Sequence, residues 1–319
     1  YNSVMKTSIR ILTFIFFIPL LLLICPLNSQ AEDEASTQDK DIQILDNPYE
    51  FRNKYNNSRH KLKIINVSIE EIKERILNGE PVHFVNKQEE GKRTIKSSMI
   101  IEAIKNGVDR IDIKNAIIFG NLDFHIREKL VGIEGSGIEV EEKQAGLSTL
   151  RVESVYIVAP SISIERCQLQ GIIEAGYNDD TQSIVIFESS VSFENSEFFE
   201  RANFSYASFN GGVRFRKASF NGMALFSKAS FKEKAYFALA NFENRTDFRD
   251  TSFNCKANFG YVNFNGKLNF EMANFKNEAD FRYTSFNVKA NFRRANFKNG
   301  VWFFKTNFKD DAIFDRAIF

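Results

Sequence analysis

Histidines, cysteines and paired carboxylates carry most enzyme chemistry, and in this chain of 319 residues they are few and scattered. The three histidines are His60, His83 and His125. None of them lies at metal-ligand spacing from a cysteine or a carboxylate. No serine or cysteine nucleophile can be paired with a base, and no two carboxylates form a defensible acid and base pair. We therefore predict no catalytic residue and no metal site.

The sequence also gives no sign of a cofactor. The segment Gly132–Gly137 is rich in glycine, but it lacks both the lysine of a phosphate loop and the spacing of a dinucleotide-binding motif, so it is predicted to be a loop. Cys167 is interpreted as a core residue. The prediction is a protein that is not an enzyme and uses no cofactor.

The dominant feature is a phenylalanine repeat. From Phe193 to Phe319, phenylalanine recurs at alternating spacings of five and six residues, twenty-four times. Helices repeat at 3.6 residues and strands at 2, whereas a strict long repeat indicates a solenoid. A small or branched apolar residue stands two positions before almost every phenylalanine, with a polar residue between them. In extended chain these two residues point inward and the polar one points outward.

This pattern resembles the pentapeptide-repeat family, in which A-(N/D)-(L/F)-x-x units wind a right-handed quadrilateral β-helix. The resemblance covers about 40% of the chain and implies an all-β solenoid. One extra residue at every second corner makes a coil of 22 residues, and six such coils stack to roughly 29 Å. The extra residues fall at Asn-Gly pairs such as Asn221-Gly222 and Asn265-Gly266, so positive φ is predicted there.

The chain begins with a targeting segment. Lys6 and Arg10 precede an apolar run from Ile11 to Ile24, and Ser29-Gln30-Ala31 offers a cleavage site. Residues 1–31 are therefore predicted to be a signal peptide or an N-terminal anchor, and an anchor would bring the chain into contact with a membrane. Residues 32–46 are polar and acidic and are predicted to be a disordered linker.

Residues 47–110 are predicted to form a helical cap. Ser68-Ile69-Glu70-Glu71 is a capping box that opens a helix over 69–78, with Gly79 after it and with Ile69, Ile72, Ile76 and Leu77 on its apolar face. A second helix is predicted over 98–106, before Gly107. Residues 111–192 should form the first, irregular coils and 193–319 the regular β-helix. Since a solenoid needs capped ends, the two helices are expected to cover the N-terminal one.

The other end of the solenoid has no predicted cap. The sixth coil closes at Phe319, which leaves an apolar cross-section. Two interpretations stay open: a homodimer through this C-terminal end, or a sequence that is a piece of a longer protein.

Charge is distributed unevenly along the chain. Residues 193–319 carry 20 basic and 13 acidic side chains, whereas residues 32–192 carry 20 basic and 28 acidic ones. Outward basic residues cluster at Arg214, Arg216 and Lys217, and again at a predicted basic surface of Arg282, Arg293 and Arg294. Such charges keep a rod soluble; they would also suit an acidic partner or head-to-tail self-association.

Five outward residues are aromatic or apolar: Tyr236, Leu239, Tyr261, Tyr283 and Trp302. The 22-residue coil places Leu239, Tyr261 and Tyr283 in one column, and Tyr236 and Trp302 in a neighbouring one. We predict that they bind a partner protein or a carbohydrate ring. The alternative is that tyrosine here only stabilises its neighbours across the sheet.

The leading functional prediction is a non-enzymatic scaffold or binding protein that is exported. It would be secreted or anchored by residues 11–24, with a protein or cell-surface partner and no nucleic acid. One alternative is the extracytoplasmic part of a longer membrane protein. A minor alternative, implied by the resemblance alone, is DNA mimicry against a type II topoisomerase; mimicry needs an acidic rod, and residues 193–319 are net basic.

Overall fold

The computed structural model describes residues 68–85, 93–126, 128–130, 154–177 and 183–319, and for 128–130 it describes the backbone alone. The predicted targeting segment and acidic linker, residues 1–46, lie outside the described residues. So do His60 and the Gly132–Gly137 segment.

Short strands stack into four sheets, and each sheet is one side of a square coil. The first sheet contains β1 (Val82–His83), β3 (Arg110–Lys114), β8 (Ser161–Glu165), β12 (Val191–Ser192), β16 (Val213–Arg214), β20 (Ala235–Tyr236), β24 (Ala257–Asn258), β28 (Ala279–Asp280) and β32 (Val301–Trp302). The second contains β2 (Thr94–Lys96), β4 (Ile117–Phe119), β9 (Gln168–Leu169), β13 (Glu197–Phe198), β17 (Ser219–Phe220), β21 (Asn241–Phe242), β25 (Asn263–Phe264), β29 (Ser285–Phe286) and β33 (Asn307–Phe308).

The other two sides of the coil are built in the same way. The third sheet contains β5 (Leu122–Asp123), β10 (Ile173–Glu174), β14 (Ala202–Asn203), β18 (Ala224–Leu225), β22 (Thr246–Asp247), β26 (Leu268–Asn269), β30 (Ala290–Asn291) and β34 (Ala312–Ile313). The fourth contains β6 (Glu128–Leu130), β7 (Ser154–Val158), β11 (Ser183–Phe187), β15 (Ser208–Phe209), β19 (Ser230–Phe231), β23 (Ser252–Phe253), β27 (Asn274–Phe275) and β31 (Asn296–Phe297).

The register of the regular coils is 22 residues. Ala235 pairs with Ala257, which pairs with Ala279, in parallel. Backbone hydrogen bonds join successive coils: the Phe237 N–H donates to the Asn258 carbonyl at 2.7 Å, and the Phe259 N–H donates to the Asp280 carbonyl at 2.7 Å. The predicted fold class, a right-handed quadrilateral β-helix with N-terminal helices, is confirmed.

The phenylalanines fill the square interior, as predicted. Phe237 and Phe259 are both 0% exposed. Within a column the rings stack face to face, with the Phe237 and Phe259 centroids 4.9 Å apart and their planes at 1°. Between columns they meet edge to face, as Phe248 and Phe259 do at 5.4 Å and 85°. Both geometries are favourable for aromatic pairs, so each ring is held along the solenoid axis and across it.

Two kinds of corner alternate around each coil. At the five-residue spacing the chain makes a tight turn: the Ala240 N–H donates to the Phe237 carbonyl at 3.0 Å, and Leu239 between them has φ of 62°. The polar residue before the phenylalanine closes this turn with its side chain. Asn258 Oδ1 accepts from the Gly260 N–H at 2.9 Å. This is an Asx turn, and it accounts for the asparagine or aspartate at five-residue corners such as Asn203, Asp247, Asn269, Asp280 and Asn291.

The prediction of positive φ at the Asn-Gly corners is correct at Asn299-Gly300 and wrong at Gly211, Gly222 and Gly266. Among the described glycines of the regular coils only Gly300 has it, at 96°, and the left-handed residues of the five-residue corners are not glycines. Glycine is needed at the longer corners for a different reason. A Cβ on Gly222 would lie 2.2 Å from the Glu200 carbonyl oxygen of the preceding coil. The absence of a side chain therefore allows two coils to approach closely there.

Both predicted helices are present, as α1 (Ile69–Leu77) and α2 (Ser97–Lys105). The Ser68 hydroxyl accepts a hydrogen bond from the Glu71 N–H at 3.1 Å, which confirms the predicted cap. Gly79 and Gly107 follow the helices with φ of 68° and 79°, the conformation that ends many helices. The predicted apolar face is wrong at Ile69, which is 60% exposed because the helix turns its first residue away from the coils.

The helices close the N-terminal end of the solenoid. Residues Met99, Ile100, Ala103 and Ile104 of α2 are buried in the same hydrophobic cluster as the phenylalanine ladder, and α2 packs against α1 and β5. The coils next to the helices, from β3 to β11, have a mostly aliphatic interior that includes Ile111, Ile113, Ile162, Ile164 and Leu169. Two buried phenylalanines, Phe124 and Phe187, lie among them with their ring centroids 5.2 Å apart. Strand β6 pairs antiparallel with β7, whereas the other described strand pairs are parallel.

Candidate functional site

Of the three histidines, His83 and His125 lie within the described residues, and each pairs with an aspartate. His83 Nε2 lies 2.9 Å from Asp112 Oδ1 on the neighbouring strand β3. Burial would raise the pKa of Asp112, but the hydrogen bond and charge of His83 outweigh it and lower that pKa. The His83 side chain is 41% exposed at the edge of the first sheet. The pair joins β1 to β3 and adjoins no nucleophile.

His125 is enclosed between two hydrogen-bond acceptors. Its Nδ1 atom lies 2.7 Å from Asp123 Oδ1, and its Nε2 atom lies 2.8 Å from the Gly176 carbonyl oxygen. Because both partners only accept, both ring nitrogens donate and the ring is an imidazolium. Burial alone would lower the pKa of His125, but the hydrogen bond to Asp123 and its charge outweigh it and raise that pKa.

This geometry is unsuited to base catalysis. A general base needs a free ring nitrogen facing the substrate, and both nitrogens of His125 are engaged. The ring instead packs edge-on against Tyr156, with centroids 5.1 Å apart. The two hydrogen bonds of His125 therefore link β5 to the turn that follows β10.

Cys167 is a core residue, as predicted. It is 2% exposed, and burial raises the pKa of its thiol to about 12. At neutral pH such a thiol carries almost no thiolate, which is the nucleophilic form. In the part of the chain that the structure describes, no cluster of three or more His, Cys, Asp or Glu side chains could hold a metal ion.

The predicted column of outward apolar residues forms as expected at one five-residue corner, between the first and second sheets. Leu239, Tyr261 and Tyr283 occupy the same left-handed position in three successive coils, with φ of 62°, 59° and 58°. The Tyr261 and Tyr283 rings stack at 4.6 Å with 5° between their planes. The exposed fractions are 41% for Leu239, 53% for Tyr261 and 37% for Tyr283.

The next coil extends this surface with Phe304, a residue that the sequence analysis missed. Phe304 is 56% exposed and meets Tyr283 edge to face at 5.7 Å. Lys305 Nζ lies 5.5 Å from the centroids of both the Tyr283 and the Phe304 rings. The signal was available, since Phe303-Phe304 is a doubled phenylalanine of which the repeat uses only the first.

Tyr236 and Trp302 lie in a neighbouring column, as predicted, but they do not touch. Both occupy the outward position of the first sheet, where Tyr236 is followed by Asn258, Asp280 and then Trp302 along the stack. Trp302 is 54% exposed, and Tyr236 is half-buried. We refer to Leu239, Tyr261, Tyr283, Trp302 and Phe304 together as the aromatic corner.

The three arginines of the predicted basic surface lie on two different corners. Arg282 is next to Tyr283, and its guanidinium donates to both carboxylate oxygens of the buried Asp280, at 3.0 and 2.7 Å. This pairing raises the pKa of Arg282. Arg293 and Arg294 follow the third sheet and so lie diagonally across the coil. Arg293 pairs there with Asp315 at 3.3 Å.

The basic group in the earlier coils continues the aromatic corner. Lys217 holds the left-handed position one coil before Leu239, and Lys305 holds it one coil after Tyr283. Arg216 pairs with Glu194 at 3.4 Å. Among the described residues, Arg214, Lys217 and Lys305 form no ion pair with a carboxylate.

The diagonally opposite corner, between the third and fourth sheets, has the same backbone with different side chains. Its left-handed positions are Tyr206, Lys228, Asp250, Met272, Arg294 and Arg316. Lys228 Nζ lies 5.0 Å from the centroid of the Tyr206 ring. We refer to these six residues as the opposite corner. In the coil before them Tyr177 contacts Tyr206, with the ring centroids 5.3 Å apart.

Neither helix of the described residues is long and apolar enough to span a membrane. Comparison with known families gave one match: the family model for pentapeptide repeats (9 copies) matches residues 204–252, 226–273 and 259–306. No curated protein and no solved structure matched the chain. The matched segments lie within the regular coils of the four-sided stack, residues 193–319. The repeat region of this chain therefore belongs to the pentapeptide-repeat family.

Proposed function

We propose that this protein is an exported, non-enzymatic scaffold that acts by binding, and that the aromatic corner is its contact surface. The observation that carries the proposal is the stack of Tyr261 on Tyr283, flanked by exposed Leu239 and Phe304. Exposed apolar side chains gathered along one line of a surface mark interaction sites more often than scattered ones do. Tyrosine and tryptophan are also the residues that dominate contact energies.

The stacking geometry favours some partners over others. A sugar ring binds an aromatic residue through the ring face. One face of Tyr261 is covered by Tyr283, and the other face of Tyr283 lies towards Phe304 and Lys305. The stack leaves one face of Tyr261, on the Leu239 side, so these two tyrosines offer a partner mainly ring edges and hydroxyl groups. A protein or membrane surface is therefore favoured over carbohydrate.

Export is proposed from the sequence. The basic residues Lys6 and Arg10 and the apolar run 11–24 have the order of a signal peptide. If the run is retained as an anchor, the protein is membrane-attached, and the scaffold could then be the extracytoplasmic part of a longer protein. DNA mimicry is disfavoured, because the regular coils carry more basic than acidic residues.

The absence of enzymatic activity is proposed from the chemistry of His125 and Cys167. Both nitrogens of His125 are engaged, and the Cys167 thiol has a pKa far above neutrality. In the regular coils, residues 193–319, phenylalanine rings fill the interior and leave no space there for a substrate.

Site-specific crosslinking tests this proposal. A photoreactive benzoylphenylalanine placed at position 261 should give a crosslinked adduct in the cells that produce the protein. The matched control is the same residue at position 272, which has the same left-handed backbone on the opposite corner. Adducts of equal yield from both positions, or no adduct from position 261, would overturn the proposal.

A further inference from the structure

We propose that the partner of the aromatic corner is the surface of a membrane that contains anionic lipids. This inference rests on the proposed function and names its partner.

The shape of the aromatic corner fits a membrane surface. The aromatic corner lies where two sheets meet, so its residues stand on a convex edge of the square coil. Its members follow one another through four successive coils, from Leu239 to Phe304, at about 4.8 Å per coil. A convex, straight edge cannot enclose a small molecule, and a flat protein surface would touch only its crest. A deformable lipid interface can close around it.

The side chains of the aromatic corner are of the types that enter a lipid interface. Tryptophan and tyrosine prefer the boundary between water and hydrocarbon, because each has an apolar body and a polar group. Leucine and phenylalanine supply the purely apolar contact that interfacial elements bury. Trp302, Phe304 and Leu239 are exposed by 54%, 56% and 41%, and the tyrosines lie between them along the edge.

The charges at the two ends of the aromatic corner suit anionic lipids. The left-handed column is Lys217, Leu239, Tyr261, Tyr283 and Lys305, so an apolar centre has an ammonium group at each end. Two acidic groups beside this corner are paired with arginines, Glu194 with Arg216 and Asp280 with Arg282. Glu197 on the adjoining second sheet accepts a hydrogen bond from the Asn221 amide. Lys217, Lys305 and Arg214 have no carboxylate partner among the described residues. Their charge is therefore available to phosphate and carboxylate groups of lipids.

The position of Lys305 suits this role in detail. Its ammonium lies 5.5 Å from the centroids of both the Tyr283 and the Phe304 rings. The ammonium lies over the two rings, and the flexible lysine stem lets the charge turn outward to water while the stem stays on the aromatic surface. The same side chain can then meet a headgroup while the rings enter the interface.

The chain contains its own reporter for the experiment. Trp302 is its only tryptophan and belongs to the aromatic corner. The full-length protein would be titrated with vesicles of phosphatidylcholine alone and with vesicles containing 30% phosphatidylserine, following tryptophan emission and co-sedimentation. The proposal predicts a blue shift and co-sedimentation with the anionic vesicles only, weakened by added salt.

Variants assign the effect to this edge rather than to the N-terminal apolar run. Lys217→Gln with Lys305→Gln should lower the partition coefficient about fivefold for each lysine. Leu239→Ser with Phe304→Ser should lower it at least tenfold while keeping Trp302. The matched control is Lys228→Gln with Met272→Ser on the opposite corner, which should bind like the wild type. All these positions lie on the surface, and thermal unfolding verifies that each variant is folded.

Two outcomes would overturn the inference: no blue shift with anionic vesicles, or a blue shift that the two lysine substitutions leave unchanged. The crosslinking experiment separates this failure from failure of the proposed function. A protein adduct from position 261 without vesicle binding would leave the scaffold proposal standing and make the partner a protein. The absence of both adduct and vesicle binding would remove both proposals.

Discussion

The two parts of the solenoid fill the same square coil in different ways. From β3 to β11 the interior is mostly aliphatic, with Phe124 and Phe187 as buried rings, and several strands are five residues long. From β12 onward the interior is a phenylalanine ladder, and the strands have two residues. Both parts share the four sheets without a break. The four-sided shape therefore comes from the stacking of parallel coils, whereas the strict sequence repeat comes from the geometry of stacked rings.

The sharpest way to test this difference is to remove one ring from the ladder. Phe259→Ala deletes a side chain with ring contacts above, below and beside it. The expected loss in the free energy of unfolding is about 3–5 kcal/mol, measured by denaturant titration. A loss below 1 kcal/mol would mean that the neighbouring rings close the gap and that the ladder does not hold the regular coils.

A substitution in the helical cap should lower the free energy of unfolding by less than the loss of a ladder ring does. Ser68→Ala removes the hydroxyl that accepts from the Glu71 N–H, and the expected loss is about 1 kcal/mol. Ser208→Ala is a matched control, because that hydroxyl lies on a sheet surface with Asn210 as its partner. If the two substitutions had equal effects, the cap would contribute nothing particular to the stability of the N-terminal end.

A smaller effect is expected from the protonation of His125, which lies in the coils next to the helices. The pKa of His125 is raised, so its contribution to stability is fully present below its unfolded pKa of about 6.5 and is lost as pH rises through the folded value. The free energy of unfolding should therefore fall across this window in the wild type and not in His125→Gln. NMR titration should give a pKa above 6.5 for His125; a lower value would contradict the imidazolium geometry.

The smallest effect is expected at the aromatic corner. Tyr261→Asn loses ring stacking worth about 0.5–1.5 kcal/mol but places a residue that tolerates positive φ at a left-handed position. The two terms nearly cancel, so thermal unfolding should change by less than about 1 kcal/mol. Met272→Asn is the control on the opposite corner. A large destabilisation specific to Tyr261→Asn would mean that the stack serves the fold rather than a partner.

Much of the fold could be predicted because the repeat states its own geometry. The spacing of Phe237 and Phe259 fixes the length of the coil, and Ser68 with Glu71 fixes the start of α1. The Asn-Gly corners were misjudged because local turn propensity is only one constraint. At Gly222 the requirement is room for the Glu200 carbonyl of the preceding coil, a contact between residues far apart in sequence.

The candidate site was predictable only in part. The 22-residue period was sufficient to stack Leu239, Tyr261 and Tyr283 in one column. It did not include Phe304, because that residue stands outside the ladder positions and one place before the column of Leu239, Tyr261 and Tyr283. Nor did it separate Arg282 from Arg293, since 11 residues along the chain is half a coil and so leads to the diagonally opposite corner. Residues share a corner only when their numbers differ by a whole 22-residue coil, so both the coil and the corner have to be assigned for each residue.

Binding to cell envelopes tests the central claim most directly. The wild type, Tyr261→Ala with Tyr283→Ala, and the control Lys228→Ala with Met272→Ala would each be titrated against envelope preparations from the producing cells. The account predicts saturable binding by the wild type and the control, and loss of binding by the tyrosine variant with its thermal unfolding retained. Equal binding by all three proteins would show that the aromatic corner is not the contact surface.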